Sequence, residues 1–433
     1  MTYAVKRDQA ELIVIPLRYK NPTNRQEDEE RQDTDWWDPV VVPFLCDKRR
    51  KINDNLILVG DIKVQLTASS PLSGFDSLTG AESCIIGHPK MQLRSVAVPS
   101  GKTPKTLTTT GACTEKNYSD SKAGALGDFH HYLGGLVVEE VNSKIFFFRQ
   151  INADRRDGSF IDMDCLYTAN NVKNTQALGL VMGDIHVDSY CPLVDKATFG
   201  KNGIVEILNP KKIVAHDVGD GYAGNPHHLG NPFISQAKFK AGRKDWLAEI
   251  KRTVDWLKEK SVNREVVVVP SNHNDFLNRW IQATDWRQDP TNAAFYLETA
   301  AVMVESAKMT IGGAEYLDPF EYWVNKLKGK SNVTVLKRNE SLIIGGNECG
   351  LHGDKGPNGA RGSLKNLSRL GVKAIAGHTH VPGIEEGLYQ VGTSSVLRLE
   401  YTHGPSSWQN THSVVYANGK RALITIIDGR WRL

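Results

Sequence analysis

From about residue 175 onward, short apolar runs alternate with amphipathic stretches, and the rhythm predicts strand, loop, helix. Residues 177–182 form a short apolar run, read as a strand, that leads straight into Gly183-Asp184. Trp246, Ile250, Val254 and Leu257 keep a 4-4-3 spacing, which predicts an amphipathic helix over 243–260. Glu265 is followed by Val266-Val267-Val268-Val269, an unbroken β-branched run suited to a strand buried on both faces. Pro270 ends it. Further helices are predicted at 275–282, 292–308 and 317–328, and further strands at 342–344 and 372–376. Strands alternating with helices predict an α/β fold whose chemistry sits on loops leaving strand ends.

The first 175 residues carry a different pattern. Residues 21–38 are almost wholly polar and charged, which predicts an exposed loop or helix. Short β-leaning runs follow at 40–42, 56–59, 95–98, 136–138 and 145–148, separated by Gly, Pro, Ser and Asp clusters that read as turns. Residues 100–120, rich in Thr, Gly, Ser and Lys, read as a long mobile loop. The expectation is a β-rich accessory domain over 1–175 and a catalytic domain over 176–433. A chain of 433 residues is too long for one ordinary core, which agrees with two domains.

Composition narrows the class only slightly. Hydrophobic content of 40% and charged content of 24% are ordinary for a globular protein, and no apolar run approaches the length of a membrane span. The N-terminal residues lack an apolar signal core. The six cysteines contain no C-x-x-C pair, so a reduced cytoplasmic protein is expected. A formal net charge of +4 permits nucleic-acid binding without demanding it.

The candidate chemistry lies in five ordered clusters: Asp184 and His186; Asp217 and Asp220; Asn272 and His273; His352; and His378 and His380. Most follow a short apolar run. Two divalent cations roughly 3.5–4 Å apart need a ligand that touches both, and a carboxylate can do so. Asp217 is the candidate bridge. Asp184 and His186, two apart in extended chain, point the same way and would hold one metal with Asp217 and one of His378 and His380. Asn272, His352, the other late histidine and Asp217 would hold the second. Mixed carboxylate, amide and imidazole donors suit manganese, iron or zinc. His273 is left free to act on substrate.

This pattern resembles the calcineurin-like metallophosphoesterase superfamily, whose motifs run D-x-H, G-D-x-x-D, G-N-H-[DE], H and G-H-x-H. The resemblance covers about residues 175–433. It implies a four-layer α-β-β-α sandwich, and two divalent ions, with manganese expected. Asp184, His186, Asp217 and His380 would bind one ion, and Asp217, Asn272, His352 and His378 the other. His273 would be the proton donor. Three positions depart from the family pattern: His216 and Ser271 replace glycines, and Asn274 replaces the acid after His273, with Asp275 as a substitute orienter. Within the superfamily the chain looks most like SbcD-type DNA nucleases and bacteriophage DNA-degradation proteins. That implies a DNA substrate, a self-associating enzyme and no membrane partner.

Several residues lie outside the motifs. Lys355 and Arg361 sit in a glycine-rich loop directly after His352, where two cations could grip phosphate oxygens, the arginine bidentately. His227 and His228 follow the bridging aspartate and are further candidates for substrate contact. Asp220 could orient a ligand or simply cap a turn. Gly127-Asp128-Phe129-His130 copies the D-x-H spacing but follows no strand, so it is read as structural. A small-molecule or cyclic-nucleotide phosphodiesterase or a protein phosphatase is the alternative enzyme. An assembly protein with a structural metal site is the alternative outside enzymes.

Overall fold

The computed structural model describes residues 5, 9–17, 37–228, 230–399 and 402–433. Apart from its last two residues, the polar segment 21–38 lies outside the described residues. The molecule is mixed α/β and is built on two large sheets.

A six-stranded sheet runs in the order Val333–Val335, Glu265–Val268, Lys212–Ala215, Gly179–Val181, Asn410–Val415, Arg421–Ile426. Its first four strands are parallel, and the last two are added antiparallel. A ten-stranded mixed sheet runs from Arg49–Asn53 through Leu56–Val59, Ser83–Ile86, Lys105–Thr109 and Leu93–Val96. It continues with Gly383–Glu385, Leu388–Gln390, Ala374–Ala376, Asn347–Glu348 and Ile343–Ile344.

Alternation along the strands explains how both sheets are buried. Leu180, Ile213, Val266 and Val268 share a core with Trp246, Ile250, Val254, Phe276 and Trp323, all on helices. Their neighbours Val181, Val214 and Val267 share a second core with Leu93, Ile375, Ile384 and Tyr389 of the ten-stranded sheet. Successive strand residues point to opposite faces, so the valine run loses water on both sides. Each such side chain contributes roughly 1.5–3 kcal/mol.

The helices fall close to expectation. Trp246–Lys260 opens on Asp245, whose side chain accepts the Ala248 N–H at 3.0 Å and caps the first turn. Phe276–Ala283, Ala293–Ser306 and Pro319–Leu327 follow. None of the described helices is long and apolar enough to cross a membrane.

Two expectations for the N-terminal part are corrected. Residues 100–120 are not a loop throughout: Lys105–Thr109 is a wholly buried strand between Ser83–Ile86 and Leu93–Val96. Its threonines read as loop residues, yet the buried hydroxyls of Thr108 and Thr109 have backbone acceptors. Thr109 Oγ1 donates to the Lys90 carbonyl at 2.7 Å, and Thr108 Oγ1 donates to that of Gln92 at 3.3 Å. Residues 40–42 form no strand, because Pro39 and Pro43 favour a turn that continues as the 3₁₀ segment Val42–Phe44. The boundary expected near 175 does not separate two sheets. Leu93 and Arg94 pair antiparallel with Ile384 and Gly383, so early and late strands form one sheet. A change of composition along the chain carries no information about such a pairing.

Candidate functional site

The loops at the C-terminal ends of Gly179–Val181, Lys212–Ala215 and Glu265–Val268 carry Asp184 with His186, Asp217, and Asn272 with His273. The loop after Asn347–Glu348 brings His352, and the loop after Ala374–Ala376 brings His378 and His380. Asp184, His186, Asp217, Asn272 and His273 thus follow strands of the six-stranded sheet, and His352, His378 and His380 follow strands of the ten-stranded one. His186, Asp217, His378 and His380 all have left-handed backbone, with φ of 50°, 43°, 79° and 61°. Such conformations cost on the order of 1–3 kcal/mol each and gather where the surrounding structure imposes them. Gly377 explains one close approach: a Cβ there would collide with Asp184 Oδ1.

Two groups of side chains meet at Asp217. Asp184, His186, Asp217 and His380 are buried, and one ligand atom from each lies within 4.8 Å of the others. Nε2 of His186 and His380 are 3.1 Å apart, and His380 Nε2 is 3.2 Å from Asp184 Oδ2. On the other side, Asn272 Oδ1 lies 3.0 Å from both His352 Nε2 and His378 Nδ1. Asp217 Oδ2 is 3.2 Å from His352 Nε2 and 3.8 Å from His186 Nε2, so one oxygen faces both groups. Donors each about 2.1 Å from a cation at right-angled or tetrahedral separation sit roughly 3.0–3.4 Å apart. Most of these spacings fall in that interval, and either group could hold a metal ion.

Charge points the same way. Burial alone would raise Asp184, but His380 and His352 hold its carboxyl below the usual range; burial likewise opposes His352, which holds Asp217 well below it. Burial pulls His186 and His352 down, yet the carboxylates outweigh it and each ring is pushed up to about 9, His186 mainly by Asp220 and His352 mainly by Asp217. Three carboxylates, those of Asp184, Asp217 and Asp220, are gathered in the buried cluster. Asp184 Oδ1 and His380 Nδ1 are buried without a hydrogen-bond partner. Buried charge of one sign without a counter-charge is costly.

His273 stands apart from the ligand atoms. Its backbone N–H donates to Asp217 Oδ1 at 3.3 Å, and its ring is 4.6 Å from that of His186. Nδ1 is 2.8 Å from the Asp220 carbonyl oxygen, which can only accept. Nδ1 therefore carries the proton and leaves Nε2 for another group. Loss of hydration pushes the ring down to about 4, partly offset by Asp217. Asp275 is not the substitute orienter, because its carboxylate is taken by Arg279 at 2.9 Å, one helical turn on.

Asp220 is the residue that sequence reading left open. Its Oδ1 is 3.3 Å from His186 Nδ1, its Oδ2 accepts the Asp188 N–H at 2.8 Å, and its carbonyl holds His273. Asp188 is gripped in turn by the Arg252 guanidinium at 2.6 and 2.7 Å. Partners behind a ligand typically control metal affinity by about 10–100-fold. Asp220→Ala is expected to weaken metal-ion binding at the group of Asp184, His186, Asp217 and His380 by that factor, read by isothermal titration with manganese. Unchanged affinity at both sites would show that Asp220 only shapes the turn.

The proposed substrate-contact residues are placed around this cluster rather than in it. Lys355 and Arg361 face each other across an exposed turn that follows His352. His227 is exposed, its ring 6.1 Å from Phe276, whose ring is 4.7 Å from His273. His228 packs on Tyr222 at 5.2 Å. Arg338, which sequence reading passed over, ties the Asn272 loop to the His352 loop: its guanidinium donates to the Pro270 carbonyl at 2.9 Å and pairs with Asp354. No local pattern marks it. His412 accepts the Gly183 N–H at 3.0 Å and lies 3.0 Å from the Thr198 hydroxyl, so it braces the Asp184 loop from within. Asp128 pairs with Lys116, away from the cluster.

Over 440 aligned residues the chain is 33% identical to Protein A1 of Escherichia phage T5, a match that takes in 98% of this chain and 77% of that protein. No protein-family model matches the sequence, and no solved structure matches it.

Proposed function

We propose that this chain, which belongs to the family of Protein A1 of Escherichia phage T5, is a two-metal phosphodiester hydrolase that degrades DNA. The observation that carries the reading is the position of Asp217 Oδ2 between two groups of ligand atoms. A structural ion needs only one such group. A shared oxygen between two suits a pair of cations working on one phosphate.

Asp184, His186, Asp217 and His380 would hold one ion, and Asp217, Asn272, His352 and His378 the other. When bound, such ions supply Lewis acidity for the phosphoryl oxygens and activate the attacking water. The chain's own groups do the rest. His273, fixed by the Asp220 carbonyl, keeps Nε2 available to pass a proton to the leaving oxygen. Asp220 and Arg252, through Asp188, hold the Asp184–His186 loop against the helix Trp246–Lys260. Lys355, Arg361 and His227 are candidates to meet the phosphate backbone of a polymer outside the cleft.

The calcineurin-like four-layer sandwich is part of the same proposal. It is supported by separate cores on the two faces of the six-stranded sheet, and by Leu367 of the short helix Leu364–Ser368 packing on Ala374, Ala376 and Leu388. Kinship with a phage protein fits a place of action in the host cytoplasm.

Chelation is expected to abolish hydrolysis of linear DNA, and manganese to restore it better than magnesium, because imidazole-rich donors suit manganese and magnesium prefers oxygen and water. Rates on stripped protein refilled with each ion decide it. Full activity in magnesium alone would count against the assignment.

A further inference from the structure

The segment directly after Asp220 joins basic residues to exposed aromatic ones. Residues 221–244 contain no acidic residue but hold Lys238, Lys240, Arg243 and Lys244. Those four charges equal the formal net charge of the whole protein, +4. The same stretch carries Tyr222, Phe233 and Phe239.

Its helix, Pro232–Lys240, is capped by Asn231, whose side chain accepts the N–H groups of Phe233 and Ile234 at 3.0 and 3.1 Å. The helix has one buried residue, and that is Lys238. Its ammonium donates to the Tyr222 carbonyl at 2.5 Å and lies 4.4 Å from the Tyr222 ring centre. A helix normally docks through an apolar stripe. This one docks through a lysine, and its aromatic side chains point elsewhere. Phe233 is 84% exposed and Phe239 63%. At about 100° per residue they leave the helix on the two shoulders beside the inward-facing Ile234 and Lys238.

The helix is also tied to the site. Glu249 is buried and accepts the N–H groups of Tyr222 and Ala223 at 3.0 and 2.9 Å. This clamps the start of the segment two residues beyond the carbonyl that holds His273. Lys238 then fastens the helix to the same Tyr222.

We propose that the helix Pro232–Lys240 is the docking surface for a single strand of nucleic acid leading into the metal-ligand cluster, with unpaired bases stacking on Phe233 and Phe239 and phosphates meeting Lys240 and Lys244. The proposal rests on the nuclease reading for what happens to the strand, and on charge and aromatic exposure for the docking itself. Exposed aromatic faces flanked by cations are what a strand with free base faces selects. A duplex hides those faces in its stack.

The test is fluorescence anisotropy on the full chain in manganese, with a labelled phosphorothioate oligothymidylate of about 20 nucleotides, longer than one binding site, and a duplex of equal length. Phe233→Ala and Phe239→Ala are each expected to weaken single-strand binding roughly 5- to 100-fold and to leave duplex binding nearly unchanged. Lys240→Gln is expected to reduce the salt dependence of single-strand binding by about 0.7 in logarithmic slope. Melting curves establish that each variant is folded. Wild-type affinity in both phenylalanine variants, equal losses on strand and duplex, or no wild-type affinity for the strand would overturn the surface. The last result would favour a protein partner on this helix. Strand binding that depends on both phenylalanines, with no hydrolysis of any DNA by the wild type, would sustain the surface and sink the nuclease reading.

Discussion

Asp217→Asn should bring DNA hydrolysis down to background. One oxygen of Asp217 faces His186 and His352, the other accepts the His273 N–H, and the carboxylate is the shared member of both ligand groups. An amide of the same shape keeps some hydrogen bonds but brings no charge and is a poor bridge. Removing a single preorganised group that stabilises developing charge costs about 10²–10³-fold in rate. Loss of a bridging carboxylate should cost at least that, with metal content falling below two ions per chain by elemental analysis. Turnover within a few fold of wild type, with both ions retained, would sink the bridging role.

His273→Ala separates proton transfer from metal binding. The imidazole contributes no ligand atom to either group, and its tie to Asp217 runs through the backbone N–H, which alanine keeps. Both ions should therefore remain. Hydrolysis of a DNA phosphodiester should fall by about 10²–10⁴-fold, the usual range for removing a positioned acid or base. A p-nitrophenyl ester, whose leaving group needs little protonation, should suffer far less. The ring is pushed down to about 4, so it is neutral near pH 7 in the free protein. The negative charge of a bound phosphate favours its protonated form. Equal losses on the two substrates, or loss of an ion, would assign His273 to positioning rather than proton transfer.

The residues that gather around Asp217 were legible because their types repeat a local signature. Asp184 and His186 follow an apolar run that can only be a buried strand, and His378 and His380 repeat the arrangement after 374–376. The helix at 246–260 was equally plain from its spacing. What escaped reading depends on partners far along the chain. Lys105–Thr109 looks like a loop by composition but pairs with two strands, and its Thr108 and Thr109 hydroxyls find carbonyls on the neighbouring segment. The orienter of His273 is a backbone carbonyl, which no residue type announces. Arg338 matters only because two loops from different sheets pass within its reach. That strands from before and after residue 175 share one sheet was hidden for a related reason, since antiparallel pairing of Leu93 with Ile384 is invisible to any window of sequence.

The convergence of the two sheets also fixes when the cluster can exist. The His378 N–H donates to Asp184 Oδ2 across 194 positions, and Asn272 meets His352 and His378 across 80 and 106. A chain emerging from the ribosome carries Asp184, His186 and Asp217 long before it carries His378 and His380. Until those two histidines have been added, neither ligand group is complete. Whatever this cluster does to a phosphodiester, a half-made chain lacks the means to do it, and synthesis itself sets the earliest moment at which it can begin.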